Sequence, residues 1–119
     1  MLSINEIKSL ITSGEGYNVE FKKSIPSKVK EITEEICAFS NAAGGTILLG
    51  VDDNNSIQGI LFSNAKRSAL QNSINEITPT LHCDIYTITI NEKEIVVIEV
   101  PSGVNKPYVL SGAIYVRQG

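Results

Sequence analysis

Four acidic side chains stand where a fold is able to gather them. Glu15 and Glu20 lie five residues apart, and Glu20 sits within Asn18-Val19-Glu20-Phe21-Lys22, a segment that alternates polar and apolar. Asp52 and Asp53 follow a nearly continuous apolar run, Thr46-Ile47-Leu48-Leu49-Gly50-Val51. Alternation reads as a half-buried strand, and an unbroken apolar run as a strand buried on both faces. If these strands are neighbours, two or three carboxylates converge where strands end, the usual ligand position in open sheets. A second group is basic: Lys22, Lys23, Lys28 and Lys30, with Lys66, Arg67 and Arg117 elsewhere. Clustered cations of this kind engage phosphate oxygens without reading bases. Each group has a simpler competing reading. Asp52-Asp53-Asn54-Asn55 is a good polar turn, Glu20 has Lys22, Lys23 or Arg117 as ion-pair partners, and Glu31, Glu34 and Glu35 follow the lysines as in any mixed solvated helix face.

Other chemistries find little support. His82 is the single histidine, which leaves a serine or cysteine nucleophile without an evident base. Cys37 and Cys83 are far apart with no Cys-x-x-Cys spacing, so they read as reduced, buried, structural thiols, and His82-Cys83 alone is too small a donor set for zinc. Gly44-Gly45 follows a helical pattern instead of opening one, and no GxxxxGK[ST] or GxGxxG occurs, so this pair reads as a tight turn and not as a phosphate loop. Tyr17, Tyr86, Tyr108 and Tyr115 are not spaced as a base-stacking platform.

The elements that must position these residues follow from pattern. Ser3-Ile4-Asn5-Glu6 is a capping box, which opens a helix over about 4–12 ended by Gly14. Val29, Ile32, Ile36, Phe39 and Ala43 recur at helical spacing and predict a helix from Pro26-Ser27 to about Ala43. Ile57–Ile60 is a short strand candidate. Ser63 caps a third helix to about Ile77, with Ala69, Leu70, Ile74 and Ile77 inward. Residues 83–90 and 94–100 flank Asn91-Glu92-Lys93 as a hairpin, residues 101–107 form a loop, and 113–117 a final strand. The order αβαβαβββ makes an α+β (α/β-like) single domain over 1–119, a mixed central sheet packed by about three helices.

Composition sets the limits. The chain's 119 residues allow one real core without a disulfide or metal staple. No apolar run reaches the roughly 18 residues of a membrane span, and the N-terminus lacks a secretion signal, so the chain reads as cytoplasmic with no membrane partner. The formal net charge of −3 means that any nucleic-acid binding must use a local basic patch or a paired chain, or else be weak.

Several segments together resemble one family. They are Glu15-x-x-x-Val19-Glu20-Phe21-Lys22, the run from Cys37-Ala38-Phe39-Ser40-Asn41-Ala42-Ala43-Gly44-Gly45 through Val51-Asp52-Asp53, Ile57-x-Gly59, Lys106-Pro107-Tyr108 and Ile114-Tyr115-Val116-Arg117-x-Gly119. This set is similar to the Schlafen AlbA-type domain, also described as a divergent AAA or DNA-binding domain, over about residues 10–119. The resemblance implies the N-terminal part of a longer prokaryotic transcriptional regulator. It implies nucleic acid as partner, DNA ahead of RNA, held mainly electrostatically through Lys22, Lys23, Lys28, Lys30 and Arg117, and a homodimer. In family members with ribonuclease activity the corresponding acids form the active site. That alternative makes Glu15, Glu20, Asp52 and Asp53 catalytic, with Mg or Mn on Glu15, Glu20 and Asp52 as hard oxygen ligands. A protein-assembly module without nucleic acid is a third reading, drawn from the acidic balance.

Overall fold

Ser3 starts the first helix as the capping box requires. Its hydroxyl accepts from Glu6 N at 3.1 Å and the Glu6 carboxylate accepts from Ser3 N at 2.9 Å, which gives α1, Ile4–Ser13. Gly14 ends it at φ 83°, its N–H donating to Leu10 O. The structure, a computed structural model, describes residues 1–117. The remaining elements are β1 Val19–Lys22, α2 Lys30–Ser40, β2 Gly45–Leu49, α3 Asn64–Ile74, β3 Ile77–Thr78, β4 Asp84–Ile90, β5 Lys93–Val100 and β6 Val109–Leu110.

The main sheet runs β1-β2-β5-β4, and β3-β6 is a small second sheet. β1 and β2 are parallel, with Glu20 beside Ile47, while β2–β5 and β4–β5 are antiparallel. The mixed sheet follows from the connections: α2 carries the chain over from β1 to a parallel β2, and a two-residue turn folds β4 onto β5. Ile47 and Leu49 of β2 join α2 and α3 in one apolar layer, and Leu48 joins α1 in the other. All three are fully buried, each contributing roughly 1.5–3 kcal/mol by leaving water. The double-sided central strand and the α+β fold, a mixed sheet packed by three helices, are as expected.

The turn before β2 needs its two glycines. Gly44 has φ 80°, and a Cβ there would lie 2.6 Å from Val100 O. A Cβ on Gly45 would run into the Phe39 ring and lie 2.8 Å from Asn18 O. Helix, turn and strand are thus locked at one angle.

Four boundaries differ from the pattern. α2 begins at Lys30, not at Pro26-Ser27, because Ile25 and Val29 pack onto the core from an irregular lead-in; Ala43 lies past its end, exposed. α3 stops at Ile74, since Ile77 and Thr78 pair with Leu110 and Val109, and Ala69 faces solvent. Ile57–Ile60 forms no strand; Ile57 bridges Val51, and Ile60 N donates to Glu94 O. Residues 113–117 are not a strand, because beyond the single Leu110–Ala113 bridge the segment is held by side chains instead. Val109–Leu110 takes the strand role. The last position of the Tyr115-Val116-Arg117-x-Gly119 stretch lies outside the described residues.

Candidate functional site

Arg117 organises the acidic side of the molecule. Its Nη1 lies 3.1 Å from Glu20 Oε1 and 3.0 Å from Glu35 Oε2. Nη2 donates to Gly16 O at 2.9 Å and Nε to Tyr17 O at 3.1 Å. The guanidinium sits 4.3 Å from the centre of the Phe39 ring. Four of the five N–H donors of the planar fork are therefore used within the fold. Arg117 ties the lead-in of β1 to α2, and its side chain is only 13% exposed.

Glu15 and Glu20 do come together, for a reason visible in the backbone. β1 is an edge strand, and Glu15 Oε2 accepts its outward Phe21 N–H at 2.9 Å. Although Glu15 as a residue is exposed, its carboxylate is shielded against β1. That desolvation is the main influence raising its pKa above the usual carboxylate range; Glu20 adds to it, while the Phe21 N–H and Lys22 oppose it.

Asp52 serves its own turn. Its carboxylate accepts from Asn54 N at 2.9 Å, Ser56 N at 3.0 Å and Gln58 Nε2 at 2.8 Å. These bonds, the Ser56 N–H foremost, hold its pKa below the usual value, with Lys23 assisting. Asp53 is exposed beside it. Among the described residues no three His, Cys, Asp or Glu side chains are grouped as metal ligands. The acids of the metal-nuclease expectation do not fit a Mg or Mn ion as arranged: Glu20 is bound by Arg117, and Asp52 is turned onto its own loop. No catalytic step is derived through such an ion.

The lysines are placed differently. Lys22 is half-buried at the end of β1, where its carbonyl accepts from Gly50 N at 2.7 Å. Lys23, Lys28 and Lys30 are exposed on the connection into α2. Among the described residues none of the four forms an ion pair. The start of α2 has Val29 at its N-cap with no side-chain cap; Glu31 N and Ile32 N donate to the Lys28 and Val29 carbonyls. The positive dipole end adds to the same region, with Glu31 in the first turn opposing it. Lys66 and Arg67 are exposed on α3.

Two contributors lie outside the sequence-based set. Glu35, on α2, shares Arg117 with Glu20. Asn41 holds the C-terminal segment: its side chain accepts from Tyr108 N at 2.6 Å and donates to Tyr108 O at 3.0 Å and Tyr115 O at 2.9 Å. A polar residue closing an otherwise buried helix face was the available signal for Asn41. Of the thiols, Cys37 is buried and Cys83 half-buried, both free. Burial pushes both upward, Cys83 to about 12, which leaves neither as a ready nucleophile.

A four-stranded mixed sheet with α1 on one face and α2 and α3 on the other, closed by an arginine clamp, defines a small α+β domain class. The Schlafen, AlbA_2 family model matches residues 15–119, and the chain belongs to that family. It is 33% identical over 91 residues to an uncharacterized ATP-binding protein of Ureaplasma parvum serovar 3, covering 71% of this chain and 26% of that one. The chain thus spans about a quarter of that relative. Two solved structures share the fold. The DIP2311 protein from Corynebacterium diphtheriae superposes with a TM-score of 0.67 at 17% identity, over 98% of this chain and 29% of that one. The N-terminal domain of a protein from Nitrosomonas europaea, named for its relation to the ATP-dependent DNA helicase RecG, gives 0.61 at 20% identity, over 100% and 90%.

Proposed function

We propose that this domain binds nucleic acid, DNA ahead of RNA, through Lys22, Lys23, Lys28 and Lys30, as a module of a larger transcriptional regulator. The observation that carries the reading is that four lysines on one short stretch have no ion-pair partner among the described residues, beside an uncapped helix start. Phosphate neutralisation by such a patch is sequence-tolerant and salt-sensitive. Glu20 and Glu35 are compensated by Arg117, which weakens the negative field close to the patch. Membership of the Schlafen, AlbA_2 family and likeness to a RecG-related N-terminal domain support the same direction. The ATP-binding named for the Ureaplasma relative is not carried over, because this chain has no phosphate-loop pattern and matches only part of that protein. Arg117 is assigned a positioning role, not a phosphate contact.

An NMR titration of the 15N-labelled chain with a short DNA duplex at low salt tests the surface. Shifts concentrated at residues 22–31 are expected. Shifts centred on α3 or the hairpin instead, or none at all, would reject it.

A further inference from the structure

The two edges of the main sheet are treated unequally. β1 is short, and Gly16 and Glu15 occupy the outward groups of Val19 and Phe21. β4 is the opposite edge, seven residues long. From Ile85 to Ile90 it carries no charge, proline or glycine, the usual devices that blunt an edge.

Its outward groups can be assigned. Asn91 and Glu92 both have positive φ, 52° and 65°, so a two-residue turn makes Ile90–Lys93 the closing hydrogen-bonded pair. By alternation Ile85, Thr87 and Thr89 direct their N–H and C=O groups away from β5. The same phase follows from β5, whose Glu94 O accepts from Ile60 N on its far side. Among the described residues, the outward groups of Thr87 and Thr89 have no partner, and Ile85 O has only Arg67 Nη1 at 3.4 Å.

We infer that β4 pairs antiparallel with β4 of a second copy, about a two-fold axis at Thr87, to make one continuous eight-stranded sheet. The register is self-complementary: Thr87 meets Thr87, Ile85 meets Thr89, and Tyr86 meets Ile88 on the α1 face. Continuing it, Cys83 lies opposite Asn91, so the hairpin tip of the second copy enters the cleft of about 630 Å³ lined by Met1, Arg67, Gln71, Cys83 and Asp84. That brings Glu92 of the second copy to Arg67, an opposite charge held at the edge by Phe62, over whose ring it sits 4.8 Å from the centre. Glu92 occupies a left-handed position where glycine is favoured, so a charge there is kept against a local backbone cost. Met1, 90% exposed beside the cleft, is covered by the same pairing. The pairing does not depend on the nucleic-acid reading and is tested without nucleic acid.

Sedimentation of the 119-residue chain over a wide concentration range is the experiment. A monomer–dimer equilibrium is expected. Arg67→Glu and Glu92→Arg should each raise the dissociation constant about tenfold or more, and the double variant should recover most of the loss. Thr87→Pro, which removes the central N–H on the open side, should leave a monomer with an unchanged circular dichroism spectrum. If that variant fails to fold, the charge-exchange set decides. A monomer at every concentration, open-ended oligomers, or a double variant no better than the singles would overturn the pairing.

Discussion

At the scale of single residues, much of the charge in this chain works on its own backbone. Glu15 covers an edge N–H, Asp52 closes a turn, and Arg117 joins two backbone carbonyls to two carboxylates. Removing Arg117 leaves Glu20 and Glu35 facing each other without a cation. Arg117→Ala should lower stability by about 1–3 kcal/mol, and Arg117→Lys should recover only part of it because the fork is lost; urea midpoints measure both. The two acids respond oppositely to pH. Glu15, raised in the folded state, favours the fold when protonated, and that contribution fades as pH rises through its folded pKa. Glu15→Gln keeps an acceptor for Phe21 N and should therefore be relatively more stable than the parent at pH 7 than at pH 4. Asp52, lowered, stabilises the fold above its unfolded pKa, and the contribution is lost as pH falls through the folded value. Asp52→Asn should destabilise at neutral pH, with the difference shrinking towards pH 2; thermal unfolding at several pH values checks the pair.

At the scale of elements, the sequence was informative wherever one pattern acted alone. The Ser3 cap, the buried run of β2, the Ser63 cap and the β4–β5 hairpin are local signals, and the structure contains each of them. It was weak where long-range contacts decide. Ile77 fits the helical spacing of α3 but is drawn into a strand by Leu110, thirty-three residues on. Residues 113–117 have strand-like composition, but Asn41 and Tyr108 hold their neighbourhood in irregular backbone. Spacing left the Glu15–Glu20 meeting conditional on how the loop before β1 folds back. Glu35 as the second partner of Arg117 was not legible at all, because it depends on how α2 crosses β1. The Gly44-Gly45 turn gives an element-scale prediction. Gly45→Ala should cost more than about 2 kcal/mol or prevent folding, since Phe39 and the Asn18 carbonyl flank the added carbon. Gly16→Ala, with open space around its Cβ, should be nearly neutral in the same denaturation series.

At the scale of the whole molecule, a net charge of −3 coexists with a local lysine surface. That surface has its own acidic neighbours, Glu31 in the first turn of α2, Asp52 near Lys23 and Glu15 near Lys22, while other acids are placed farther off or share Arg117. Asp84, Glu92 and Glu94 lie on the hairpin strands and their turn, and Glu20 and Glu35 sit on Arg117. No helix among the described residues is long and apolar enough to cross a membrane. Binding through such a patch should be weak in sequence preference and should depend steeply on salt. If β4 pairs two copies, two lysine surfaces belong to one particle, and affinity should rise with protein concentration in step with dimer formation.

The most direct test of the nucleic-acid reading is fluorescence anisotropy with labelled duplex DNA, single-stranded DNA and hairpin RNA over a series of salt concentrations. The parent chain should bind at low salt and weaken along a steep log–log line, most strongly with duplex DNA. Replacing Lys22, Lys23, Lys28 and Lys30 by alanine should reduce that slope by roughly one unit for each lysine that neutralises a phosphate. Flat curves for all three ligands at low salt, or a slope unchanged in the four-lysine variant, would contradict binding through this surface.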